Sequence, residues 1–164
     1  MLKIATIAFK CEIQERYLVK GIDIIEGAAS ELKEHQFYIF GNTQKIIPEN
    51  DNVVFCGFLE HHQVLKKLKD FDFYFQPSRS ESFGMAVLEA MSLGLTPIVS
   101  NRGALPEIVG NTGIIFDFSV SEAIKVLKEP LKIDEDKLKS RSKLFSYENR
   151  KREIHKIIEE LVFA

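Results

Sequence analysis

Apolar residues along this chain fall into short continuous runs, separated by longer stretches in which they recur at helical spacing. "LKIATIAF" (Leu2 to Phe9) is the first run and predicts a strand. "KCEIQERYLVKG" is polar and irregular, and predicts a long loop. In "GIDIIEGAASELKEH", Ile24, Ile25, Ala28, Ala29 and Leu32 mark one helix face. "QFYIFG" predicts a strand ending in Gly41, and "NVVFCGF" one ending in Gly57, with Pro48 and Asn50-Asp51 breaking the chain between them. "HHQVLKKLKD" is a short amphipathic helix, and "FDFYFQPS" a strand stopped by Pro77. "GMAVLEAMSLG" is an apolar helix. It is followed by a strand ("LTPIVS"), a short helix ("ALPEIVG") and a strand ("GIIF"). "SVSEAIKVLKE" is a helix whose Ser119 and Glu122 are spaced as a capping box. Two helical stretches close the chain, roughly Asp134 to Leu144 and Tyr147 to Val162.

Strands and helices thus alternate about six times. The strands are apolar on both faces, the pattern of a parallel sheet covered on both sides by helices. The expected class is α/β, with a Rossmann-like parallel sheet of about six strands, and the length of 164 residues suits one such domain. In these folds ligands bind at the carboxyl ends of the strands. Those ends are Phe9-Lys10, Gly41, Gly57, Pro77-Ser78 and Ser100-Asn101. Neither a G-x-x-x-x-G-K-[ST] nor a G-x-G-x-x-G phosphate loop occurs.

Composition narrows the picture only slightly. Apolar residues make up 45% and charged residues 28%, an ordinary globular balance. A net charge of −2 gives no reason to expect a nucleic-acid partner. The last quarter is locally basic, through Lys137, Lys139, Arg141, Lys143, Arg150, Lys151, Arg152 and Lys156. A solvated helix face accounts for that, and contact with anionic lipid or another domain is the alternative. Two cysteines in no paired motif, Cys11 and Cys56, suit a reducing cytoplasm. No apolar run is long enough to span a bilayer.

One stretch points to chemistry. In "ESFGMAVLEAMSLG" the only charge between Phe83 and Ser100 is Glu89, in mid-helix, and Glu81 stands just before the helix begins. Backbone N–H groups at the helix start, near Gly84, Met85 and Ala86, lack intrahelical partners and favour an anion such as a diphosphate. Glu89 lies roughly 7 to 8 Å further along the axis. A carboxylate beside a phosphate is repelled by it, unless it accepts hydrogen bonds from hydroxyls flanking that phosphate. A nucleoside diphosphate sugar carries such hydroxyls on both sides. The residues alone leave a second reading equally open, in which both glutamates are solvated.

"PSRSESFGMAVLEAMSLGLTPIVSNRGALPEIVGNTGIIF" resembles the signature of the retaining glycosyltransferases of family 4, the "group 1" family with the GT-B fold. The pattern is a proline-serine, E-x-F-G, and a second glutamate after a seven-residue gap, opening E-A-M-x-x-G. "LVKGIDIIEGA", "YIFGN", "VVFCGF" and "FSYENRKREIHKIIEEL" extend the resemblance over almost the whole chain. The resemblance implies a C-terminal donor-binding domain spanning 1–164, with an N-terminal acceptor domain outside this chain. On that basis the chain is expected to be a piece of a two-domain hexosyltransferase and inactive alone. Glu81 would meet the transferred sugar. Glu89 would bind the ribose, and the amides of Phe83, Gly84 and Met85, with Ser82, would hold phosphate and sugar. Lys20, before Gly21, would neutralise the diphosphate. An arginine usually assists it. Arg16 is the nearest, though one or two residues closer than usual, and Lys10 is a second candidate. Both are equally readable as solvated loop charges. The base would lie near Gly41, Asn42, Gly57 and Phe58.

Gly103-Ala104 replaces a usual glycine pair, so a slightly altered turn is expected. Arg102 reads as a solvated loop charge, with a phosphate or acidic sugar as its alternative partner. His61-His62 reads as a solvated pair at a helix start, since no ligand partners stand at metal spacing. The family needs no metal, so no cofactor is expected beyond the donor. The expected location is the cytoplasm, with peripheral contact to the inner face of a membrane in the full enzyme as a variant. A stand-alone nucleotide-sugar-binding module is the alternative function, and a sugar-nucleotide epimerase half is a third.

Overall fold

The computed structural model describes residues 1–163. Six strands form one sheet: β1 (Lys3–Ile7), β2 (Gln36–Phe40), β3 (Val53–Phe55), β4 (Phe73–Gln76), β5 (Thr96–Ser100) and β6 (Ile114–Phe116). All pairings are parallel, and the spatial order is β3-β2-β1-β4-β5-β6. Eight helices are α1 (Gln14–Val19), α2 (Ile22–Glu31), α3 (His61–Leu68), α4 (Met85–Ser92), α5 (Leu105–Val109), α6 (Val120–Lys128), α7 (Glu135–Lys143) and α8 (Tyr147–Phe163).

The inner strands β1, β2, β4 and β5 are mostly apolar because alternate residues feed two separate cores, while the edge strands β3 and β6 expose Val54 and Ile115. Ile4, Phe73, Phe75 and Ile98 point to a face covered by α2 and α6. Ala5, Tyr74 and Val99 point to the other, covered by α3, α4, α5 and α7. The expected parallel sheet with helices on both faces is therefore present. The chain winds outward from β1 in one direction and from β4 in the other. Between these two neighbours lies the switch point where such sheets open a crevice.

The segment expected to be a loop before Gly21 contains α1. Its sequence carries no helical stripe because α1 buries no residue. It is held at its ends instead. Gly21, at φ 71, turns the chain directly into α2. β3 is also shorter than expected, although Cys56 N–H still donates to Ile39 and Gly41 N–H to the Gly57 carbonyl. Ser119 caps α6 by accepting from Glu122 N–H at 3.2 Å.

α8 stands apart from this packing. Ile154, Ile157, Ile158, Leu161 and Val162 form its apolar stripe and all remain exposed. No helix among the described residues is long and apolar enough to cross a membrane.

Candidate functional site

The site grows from the carboxyl ends of β1 and β4. Beneath it runs a buried chain of hydrogen bonds. Ile7 N–H donates to the Tyr74 hydroxyl at 3.3 Å, and that hydroxyl donates to Gln76 Oε1 at 2.6 Å. Gln76 Nε2 donates to Ser78 Oγ, and Ser100 Oγ donates to the Ser78 carbonyl, both at 2.6 Å. Gln76, Ser78 and Ser100 are essentially inaccessible, so each needs these partners. The network fixes the loop that leaves β4. Burial pushes the Tyr74 phenol well above its ordinary pKa, and the nearby Glu81 and Glu89 carboxylates push the same way. Tyr74 thus stays a neutral donor under the site.

Glu81 sits in that loop. Its carbonyl accepts from Ala104 N–H at 2.9 Å. Gly103, at φ 57, lies so close that a Cβ there would overlap the Glu81 backbone. Ala104 takes ordinary right-handed helical angles, φ −77 and ψ −7, so its departure from a glycine pair costs the turn nothing.

Lys20 Nζ meets Glu81 Oε2 at 2.8 Å, with side-chain exposures of 23% and 16%. Two residues placed together by resemblance are therefore neighbours across a sequence distance of 61. The chain on either side of Lys20 is held by an arginine to which no local sequence signal points. Arg79 grips Asp23 with both guanidinium nitrogens, at 2.7 and 2.6 Å, and also donates to the Leu18 carbonyl. Its own N–H donates to the Val19 carbonyl at 2.8 Å. A Cβ on Gly21 would collide with the Pro77 carbonyl, so only glycine lets α2 start this close to β4.

Gly84 begins α4 at φ 77. Its missing side chain does more than leave a ligand room. A Cβ there would come within 2.8 Å of Ile108 Cδ1 on α5. The first turn of α4 presents the N–H groups of Met85 and its neighbours, as helix starts do. Met85 and Ser82 are exposed. Phe83 turns its ring away, edge-on to Phe145 at 6.5 Å and under Arg150 at 5.7 Å.

Glu89 projects from the middle of α4 into a cleft of about 290 Å³ shared with Phe9, Phe40, Gly41, Phe58 and His61. His61 is not simply a solvated histidine. Its Nε2 lies 2.9 Å from Glu89 Oε1. The apolar neighbours along α4 concealed this, because the partner comes from α3, 28 positions away. Among the described residues no group of three His, Cys, Asp or Glu side chains gathers as a metal site.

The residues expected near the base also converge. Gly57 N–H donates to Asn42 Oδ1 at 2.8 Å and Asn42 Nδ2 donates to the Gln44 carbonyl at 2.9 Å, so the Asn42 amide braces the loops after β2 and β3. Phe9 and Phe58 meet edge-to-face at 6.0 Å. Lys10, at φ 55, donates its N–H to the Gly41 carbonyl, and its ammonium lies 5.5 Å from the Phe9 ring centre. Arg16 is exposed on α1 and joins none of these contacts. Arg102 lies over the Phe118 ring at 5.8 Å rather than beside Glu81.

The family model for glycosyl transferases group 1 matches residues 18–152. An uncharacterized glycosyltransferase of Methanocaldococcus jannaschii is 31% identical over 161 residues, covering 87% of this chain and 45% of that protein. The O-antigen biosynthesis glycosyltransferase WclY of Escherichia coli is 31% identical over 109 residues, 60% of this chain and 30% of the bacterial enzyme. In fold, the chain is similar to sucrose-phosphate synthase from Thermosynechococcus elongatus. The TM-score is 0.74 at 19% identity, covering 98% of this chain and 46% of the synthase. The chain spans under half the length of each of these proteins.

Proposed function

The chain belongs to the glycosyl transferases group 1 family, and from that premise we propose that it binds the nucleotide-sugar donor of a retaining hexosyltransferase. One observation carries the reading. Glu81 with Lys20, the first turn of α4, and Glu89 follow one another along a single edge of the sheet, at its switch point. A cation and free helix N–H groups between two carboxylates suit a diphosphate flanked by hydroxyls.

In this reading the amides of Phe83, Gly84 and Met85 hold the distal phosphate, with Ser82 beside them. Lys20 balances the charge that grows on the diphosphate as the anomeric C–O bond breaks. With that charge met by lysine and helix, the reaction asks for no metal. Glu81 positions the hexose through its hydroxyls, and Glu89 accepts from the ribose. The base rests in the cleft by Gly41, Asn42, Gly57 and Phe58, with Lys10 at its rim. Arg16 is a weaker second cation, since it lies on the exposed face of α1. Retention follows a front-side attack, in which the acceptor oxygen bonds the anomeric carbon and its proton passes to the departing phosphate oxygen. The acceptor would be presented by a further domain or a separate protein, in line with relatives more than twice as long.

Calorimetric titration with UDP-, GDP- and ADP-sugars tests the reading. One of them binds, and Glu89→Gln weakens it by roughly tenfold to a hundredfold, the worth of a charged hydrogen-bond partner. No binding by any donor, or equal binding by Glu89→Gln, overturns it. Binding without transfer, once an acceptor-presenting partner is supplied, would favour the binding-module alternative.

A further inference from the structure

We propose that His61 is a positioning residue for Glu89, orienting that carboxylate and thereby setting how strongly the site prefers a ribonucleotide to its deoxy counterpart. The inference rests on the reading of Glu89 as the ribose partner.

A carboxylate only accepts, so in the 2.9 Å contact the imidazole Nε2–H donates to Glu89 Oε1. Both ends of the contact are anchored. His61 is the first residue of α3, whose start is fixed where Glu60 N–H donates to Gln63 Oε1 at 3.0 Å. Val64 and Leu68 sink the next turns of α3 into the core. Around Glu89, Val87, Leu88, Ala90 and Met91 hold α4 just as firmly. Two packed helices therefore fix the carboxylate across the cleft.

The bond occupies one lone pair on Oε1 of a carboxylate that lines the cleft, and Oε2 takes no part in it. A glutamate restrained before its ligand arrives has less rotamer freedom to lose on binding. The direction of Oε2 also becomes selective for a hydroxyl at one place. His61 itself is 68% exposed in its side chain. It adds little packing, so its removal separates orientation from stability.

The experiment titrates UDP, GDP and ADP, each beside its 2′-deoxy form, into the wild-type chain and into His61→Ala, His61→Gln and Glu89→Gln. For the nucleotide that binds, the wild-type chain prefers ribose by about tenfold, the scale of one charged hydrogen bond. His61→Ala reduces that preference to about threefold or less while the unfolding midpoint stays put. His61→Gln, whose amide also donates, restores part of it. A His61→Ala chain that keeps the wild-type preference overturns the inference alone. So does one that loses ribo- and deoxynucleotide affinity equally. A wild-type chain that binds no nucleotide, or a Glu89→Gln chain with undiminished ribose preference, overturns the parent reading and this inference with it.

Discussion

Gly103 and Ala104 sit side by side under opposite demands. Gly103 holds a left-handed φ of 57 against the Glu81 backbone, whereas Ala104 holds helical angles. Gly103→Ala should therefore destabilise the chain by about 2 kcal/mol or more, since the strained φ and the backbone collision add. Ala104→Gly should cost at most about 1 kcal/mol, as flexibility lost on folding. Urea unfolding of the two variants checks the contrast, and equal losses would contradict it. The same scale shows what the sequence could disclose. Glu81 and Glu89 are legible because their spacing is written along one segment. His61 and Arg79 are not, because their partners Glu89 and Asp23 lie 28 and 56 positions away. Glu26 is a third such residue. It is 3% exposed within an apolar face, and it accepts from Glu49 N–H and Asn50 Nδ2 to tie down the loop before β3. Nothing adjacent to it in sequence announces that partner.

At the scale of elements, strands were easier to read than α1. The four inner strands, β1, β2, β4 and β5, feed two cores and so are mostly apolar on both faces, a signal visible in a single line of sequence. α1 feeds neither core, and its polar pattern resembles a loop. What holds it is tertiary: Arg79 joins the end of α1 to the start of α2 and to the loop after β4. That clamp sets where Lys20 emerges. Arg79→Ala should cost about 1 kcal/mol of stability, because the ion pair is partly solvated at 37% and 33% exposure. Its effect on the site should be larger than on folding. Pyrophosphate affinity should drop by about three- to tenfold, through a Lys20 that is no longer aimed, a loss on the scale of one hydrogen bond. Calorimetry beside a thermal melt separates the two effects. An unchanged pyrophosphate affinity would show that Lys20 is held by other means.

For the whole molecule, the parallel sheet and its two helical layers were implied by alternation, but the fate of α8 was not. An apolar stripe predicts burial somewhere without saying against what, and here it lies open. Acid stability is also a property of the whole. Asp72 accepts from Lys3 N–H at 2.9 Å and from Lys132 at 3.3 Å, tying the segment before α7 to the β1–β4 edge. The Lys3 hydrogen bond, then the hydrogen bond and charge of Lys132, hold its pKa below the ordinary carboxylate value, against the opposing effect of burial. A depressed folded pKa gives stability that is present above the unfolded value, near 4, and is lost as pH falls through the folded one. Asp72→Asn should thus lower the urea midpoint at pH 7, by a gap that narrows as pH falls below about 4. A constant gap across that range would show that the ionised carboxylate is not the source.

The Lys20–Glu81 contact has one more consequence, for ionic strength. An isolated lysine attracts an anion with a pull that salt steadily weakens. Here the lysine is already paired, so an arriving phosphate must displace a carboxylate. Salt screens the attraction that is gained and the attraction that is given up. Anion binding at this edge of the sheet should therefore respond more weakly to added salt than the charge of Lys20 alone would suggest, and Glu81→Gln should make that response steeper.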